Sequence, residues 1–278
     1  MERARINGVE IAYELQGSGA PLVMIHGAQG DQTMFNNIAS RVADHYRVLT
    51  FDQRGSGLSE KPHTPYTIAL LADDTAALMD HVGFPVAHVL GVSMGGTIAQ
   101  ELALRHPAKV RSLILGCTTA GGPKAVRIGG GAFAAAYSTK EMSAEERGRA
   151  LALAAFTKGY VDQHPEIIRT MVEARRQRPL DPVALEQRMK AVLSHDAYER
   201  LAQIACPTLV ITGKDDALVA WQNSQLIADR IPGSRLVVLE PAGHCFWLEQ
   251  PQQSYDAFLN FLDQVSASDK NDKARAGL

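Results

Sequence analysis

"PVAHVLGVSMGGTIAQELALRHP", residues Pro85 to Pro107, passes from an apolar, β-branched stretch through a glycine cluster into an Ala/Leu-rich run. The first part reads as a buried strand and the last as a helix, with Ser93 at the corner between them. At so sharp a turn, side chains two residues either side of the apex would collide with backbone. Gly91 and Gly95 remove that collision, and Gly96 eases the packing of helix on strand. The apex residue is thereby turned outward above the sheet edge, beside helix N–H groups and the positive end of the helix dipole. A hydroxyl there suits a nucleophile whose attack creates an oxyanion. The plainer reading is a glycine-rich turn with a helix-capping serine.

The strand–helix rhythm extends in both directions. "RARI" and "VEIAYELQG", around Asn7-Gly8, read as a hairpin. "PLVMIHG", "YRVLTFD", "VAHVLGV", "VRSLILG", "PTLVITG" and "SRLVVLE" follow as solid apolar runs, as expected of strands buried on both faces. Helical stretches separate most of them, among them "TIALLADDTAALMDHVG" and "WQNSQLIADRIPG". The pattern predicts an α/β protein with a mostly parallel eight-stranded sheet flanked by helices. One interval breaks the rhythm. Between "LILGCTTAGG" and "PTLVITG" the connection is too long for an ordinary loop. From about Ala132 to Ile204 it is rich in Ala, Met, Arg and Glu and reads as an inserted helical cap. The expected division is core 1–121, cap 122–204, core 205–266, and a flexible polar tail 267–278.

A chain of 278 residues with net charge -2 and 46% hydrophobic residues is long enough for one large domain carrying an insertion. That charge balance argues against a surface built for nucleic acid or an anionic membrane. No apolar run is long enough to span a bilayer, and "MERARINGVE" lacks the apolar core of an export signal. The three cysteines, Cys117, Cys206 and Cys245, suggest neither a disulfide framework nor a zinc site, so a reducing cytoplasm is the expected setting.

Five motifs stand in a telling order: "VMIHGAQG", "FDQRGSGLSE", "GVSMGG", "VITGKDDALV" and "LEPAGHCFWLEQP". With them the chain resembles the α/β-hydrolase superfamily over nearly its whole length outside the cap and tail. The best likeness is to small esterases, enol-lactonases and cofactor-free haloperoxidase-like enzymes. The resemblance implies an α/β-hydrolase fold with a helical cap and a triad in the order serine, acid, histidine. A hydroxyl needs a base, and the base an orienting acid. His244, directly after "RLVVLE" and before the final helix, is the candidate base. The family's spacing, three residues after the glycine of "TLVITG", selects Asp216 as the acid, with Asp215 the main rival and Glu240 a lesser one. Met94, following the nucleophile, offers one oxyanion-hole N–H, and the resemblance assigns the other to Ala28.

These residues suit hydrolysis of small, mainly uncharged esters or lactones through an acyl-enzyme on Ser93, with no metal or organic cofactor. Leu218, Val219 and Cys245 are expected to line the acyl pocket. Cys245 reads as an apolar filler and not a thiol nucleophile, and Phe246 and Trp247 read as core. Asp52 and Arg54 in "DQRGSG" match no nucleotide fingerprint and read as a structural turn. His26 reads as structural, His106 as a helix terminator, and "GGG" at 129–131 as a loop entering the cap. Arg175, Arg176 and Arg178 read as a solvated cap face, with one arginine towards an acidic substrate as the sharper alternative. The same triad on this fold also supports carbon–carbon cleavage or peracid formation. "HGAQGDQTMF" faintly resembles the corresponding loop of hydrolase-fold signalling receptors, which makes a slow ligand sensor the rival of another class.

Overall fold

The computed structural model describes residues 1–128 and 142–275, and side chains up to 268. Eight strands form one sheet in the order β1-β2-β4-β3-β5-β6-β7-β8. They are β1 (Glu2–Ile6), β2 (Val9–Gln16), β3 (Ala20–Ile25), β4 (Tyr46–Phe51), β5 (Ala87–Val92), β6 (Val110–Gly116), β7 (Thr208–Gly213) and β8 (Arg235–Leu239). β2 alone runs against the others, pairing antiparallel with both β1 and β4. The β1–β2 turn is made by Asn7 and Gly8, with φ of 44° and 83°, the left-handed pair a two-residue hairpin requires.

The solid apolar strands have a direct physical reason, because successive side chains enter different cores. Val23 and Ile25 of β3 and Val89 of β5 join one cluster, together with Leu71, Ile98 and Ile227 from the helices on that face. Leu22 and Met24 of β3 and Leu90 and Val92 of β5 join a second, with Ile38, Phe258 and Leu262. β8 is the exception. It is an edge strand, and Leu236, Val237 and Val238 are only half-buried.

The α-helices among the described residues are α1 (Asn36–Val42), α2 (Ile68–His81), α3 (Met94–Arg105), α4 (Ala144–Ala155), α5 (Lys158–Gln163), α6 (Glu166–Gln177), α7 (Pro182–Ser194), α8 (Gln222–Arg230), α9 (Phe246–Glu249) and α10 (Pro251–Arg275). α4 to α7 fall between β6 and β7, where the sequence predicts an inserted helical cap. α4 begins with a capping box, Ser143 and Glu146 bonding reciprocally to each other's backbone. The "GGG" at 129–131 lies outside the described residues. α10 continues past Ser266, where a flexible tail is expected, because "SASDKNDKAR" holds no glycine or proline to end it. No described helix is long and apolar enough to cross a membrane.

The sheet order places the chain reversal at β3. The connection from β3 leads to β4 on one side, while β5 pairs on the other. In open parallel sheets the crevice beyond the strand ends at such a point is where ligands bind. Ala28 follows β3 and Ser93 follows β5, so both stand at that crevice.

Candidate active site

Ser93 has φ 58° and ψ -124°, a conformation that L-residues rarely adopt. Such backbone strain costs on the order of 1–3 kcal/mol and persists only where surrounding bonds impose it. Here the Ser93 N–H donates to Gly116 O at 2.9 Å, and the Thr118 hydroxyl donates to Ser93 O at 2.7 Å. The glycines on either side are required by space. A Cβ at Gly95 would sit 1.9 Å from Ile25 O, and one at Gly91 would sit 2.2 Å from Gly95 O. From Ala87 to Ala103 every residue is buried except Ser93, so the corner lifts one side chain out of the core.

Asp216 lies on the loop after β7 and is buried, whereas its rivals Asp215 and Glu240 are exposed. Its Oδ1 accepts from the N–H groups of Leu218 and Val219 at 2.8 and 2.9 Å. Its Oδ2 accepts from His244 Nδ1 at 2.7 Å. A carboxylate can only accept, so the proton of neutral His244 sits on Nδ1 and the Nε2 lone pair is left to act as a base. The histidine loop fits over β7 because Gly213 has no side chain; a Cβ there would meet Gly243 O at 2.2 Å.

Cys117 links the two halves of the site. It follows Gly116 and precedes Thr118, both of which bond Ser93, and its Sγ lies within 4.8 Å of the ligand atoms of Asp216 and His244. The elbow and the His–Asp pair therefore meet at one rim, over the C-terminal ends of β5, β6 and β7. Across the crevice, a Cβ at Gly27 would come 3.6 Å from Ser93 Oγ, which brings the Gly27-Ala28 loop beside the hydroxyl. Met94 opens α3, where the first N–H groups have no acceptor within the helix.

The trio of Cys117, Asp216 and His244 has the spacing of a metal-ligand set, and its chemistry fits a metal poorly. Burial pushes the Cys117 thiol well up, keeping it protonated, and the carboxylate and imidazole are already bonded to each other.

A cavity of about 270 Å³ opens beside this rim. Leu218 and Val219 line it, facing Met189 and Val192 of α7 and Val126 of the segment entering the cap. Asn223 pins that segment, accepting from Val126 N–H at 2.9 Å and donating to Val126 O at 2.8 Å. Cys245 stands elsewhere. It packs on Ala155 and Phe156 of the cap, and its N–H donates to Ala155 O at 2.8 Å. Burial pushes its thiol far up as well, which removes it as a nucleophile. Phe246 and Trp247 are core.

The remaining sequence readings divide. Arg54 pairs with buried Asp74 at 2.7 Å, and Asp52 accepts from the N–H groups of Gln32 and Leu58, so "DQRGSG" is a structural turn. His106 ends α3 and bonds Asp73 at 2.7 Å. Of Arg175, Arg176 and Arg178 only Arg176 fits a solvated face, pairing with Glu173. Arg175 donates to Gln29 O at 3.1 Å, and Arg178 lies 3.5 Å from Asp31 and 3.6 Å from Asp52. Those two dock the cap on the loop that carries Ala28. Sequence reasoning missed Asn223 and these docking roles. A buried-side asparagine at the head of α8 was the one available signal.

His26 is wholly buried, with Nδ1 donating to Gly27 O at 2.8 Å and Nε2 accepting from Gln53 N–H at 3.2 Å. Burial pulls its pKa below 6.5, and burial does the same to His195. The folded state thus keeps both rings neutral where the unfolded chain binds protons. Their contribution is level above about pH 6.5 and is lost below it, by up to about 1.4 kcal/mol per pH unit for each histidine. Urea unfolding should show a clearly lower midpoint at pH 5.0 than at pH 7.5. Equal midpoints would contradict this.

Residues 20–251 match the family described as alpha/beta hydrolase fold. A chain of Azorhizobium caulinodans, provisionally assigned as the carbamate hydrolase RutD, is 28% identical over 95% of this chain and 99% of its own. The 3-oxoadipate enol-lactonase 2 of Acinetobacter baylyi is 30% identical over 85% of this chain and 86% of its own. The solved structure of a thermophilic esterase from Thermogutta terrifontis superposes with a TM-score of 0.81 at 28% identity, covering 95% of this chain and 99% of the other.

Proposed function

This chain belongs to the alpha/beta hydrolase fold family, and from that premise we propose that it hydrolyses small, mainly uncharged carboxylic esters or lactones through an acyl-enzyme on Ser93. The observation that carries the reading is the 2.7 Å bond from His244 Nδ1 to a carboxylate whose other oxygen is held by two N–H groups, on the rim where the strained Ser93 emerges. In this mechanism Nε2 of His244 takes the Ser93 proton as the oxygen attacks the carbonyl carbon. Asp216 stabilises the imidazolium that forms. The N–H groups of Met94 and Ala28 receive the oxyanion, and the dipole of α3 favours the same charge. The leaving oxygen departs with the proton from His244. Water, deprotonated by the same ring, then releases the acid and frees Ser93.

Leu218, Val219, Met189 and Val192 give the cavity an apolar wall that supports a small, mainly uncharged substrate, while Thr119, Arg127 and Asn223 supply its polar lining. The lactonase and esterase relatives support the same class of bond, while the carbamate assignment of another marks carbamates as the chemistry next in line. A panel of short p-nitrophenyl esters, five- and six-membered lactones and simple carbamates tests the proposal. Rapid multiple turnover on esters or lactones, with carbamates slower, is the expected result. A single slow turnover on every compound would overturn the enzyme reading in favour of a ligand sensor.

A further inference from the structure

Glu249, at the end of α9, joins the histidine loop to the cap. Its Oε1 accepts from both the backbone N–H and the hydroxyl of Thr157, at 2.6 and 2.8 Å. Its Oε2 accepts from the N–H of Gly243, the residue before His244. Thr157 is the N-cap of α5, its hydroxyl also accepting from Tyr160 N–H. On the other side of His244, the Cys245 N–H donates to Ala155 O at 2.8 Å. The two segments are in close contact between these bonds, since a Cβ at Gly243 would lie 3.0 Å from the Phe156 carbonyl carbon. Residues 155–157 of the cap and 243–245 of the histidine loop therefore make one bonded unit. His244 is held by Asp216 through its ring, and the backbone on either side of it is held by Glu249 and by Ala155 of the cap.

We propose that Glu249 is a positioning residue that ties the alignment of the His244 imidazole to the docking of the cap. The inference rests on the serine-hydrolase reading. A carboxylate suits the task because all three groups facing it are donors. Glutamine in its place turns an NH₂ towards either Gly243 N–H or the Thr157 pair, donor against donor. Leu218, Val219, Met189 and the cap-entering segment line the 270 Å³ cavity, whereas Glu249 and Thr157 line a second one of about 500 Å³, so an unchanged KM is itself part of the test that the seam acts on His244 and not on substrate binding.

The test is Glu249→Gln, measured with p-nitrophenyl acetate and with the rate of inactivation by a fluorophosphonate. Displacing a base by a fraction of an ångström to an ångström is expected to lower kcat and the inactivation rate together by roughly 10- to 100-fold, with KM within about twofold. Thr157→Val removes one donor and leaves the N–H, so it should give a smaller fall in the same two rates, restored by Thr157→Ser. Thr157→Val decides the matter should Glu249→Gln not fold. A variant with a lower melting temperature but unchanged kcat and inactivation rate would overturn the coupling. An unsubstituted protein that reacts at no serine would overturn the parent reading instead, which separates the two failures.

Discussion

Ser93→Ala is expected to lower kcat on a short p-nitrophenyl ester by about 10⁶-fold while the protein stays folded. The size of the effect follows from the proposed mechanism, in which the Ser93 oxygen carries the acyl group. Both nearby thiols, Cys117 and Cys245, are held protonated by burial and offer no substitute. Folding should survive because what holds the corner is backbone. The Ser93 N–H and carbonyl make their bonds to Gly116 and Thr118 whatever the side chain. Alanine at φ 58° carries the same strain as serine. Circular dichroism and a melting curve beside steady-state kinetics check this. Residual activity within tenfold of the parent would be incompatible with a Ser93 nucleophile.

Asp216→Asn is expected to reduce kcat by about 10⁴-fold with little change in KM. The local bonds dictate how the amide must sit. Two N–H donors, from Leu218 and Val219, face one oxygen of the group, so the amide oxygen belongs there. Its NH₂ then faces His244 Nδ1, where a carboxylate oxygen now accepts. The ring can bond that NH₂ only by placing its own proton on Nε2, and in that tautomer it cannot take a proton from Ser93. Binding should persist because the N–H bonds that shape the Leu218–Val219 wall are kept. A loss of less than about tenfold in kcat would mean that another group orients the base.

The sheet, the elbow and the histidine loop were legible in the sequence because each is a local pattern. Solid apolar runs mark strands buried on two faces, and the glycine cluster around Ser93 marks a corner whose clearances the structure now gives. Asp216 was separated from Asp215 only by family spacing. The structure places the first buried against His244 and the second in solvent. What was not legible is contact between distant segments. The cap arginines read as a solvated face because their neighbours in sequence are charged, yet Arg175 bonds Gln29, and Arg178 faces Asp31 and Asp52. Glu249 lies five residues after His244 in the same motif, and its partner Thr157 is across the cap boundary. Cys245 was expected in the acyl pocket from its place beside His244. Its side chain packs on Ala155 and Phe156 and its N–H donates to Ala155 O, contacts across the cap boundary that adjacency to His244 does not announce.

The central claim is that one hydroxyl on this rim is nucleophilic towards a carbonyl or its analogue. Reaction of the intact protein with a fluorophosphonate, followed by digestion and mapping of the adduct, tests it most directly. The expected result is one adduct per chain, on the peptide carrying Ser93, and none in Ser93→Ala. An adduct on any other residue, or ester hydrolysis that persists in Ser93→Ala, would contradict it.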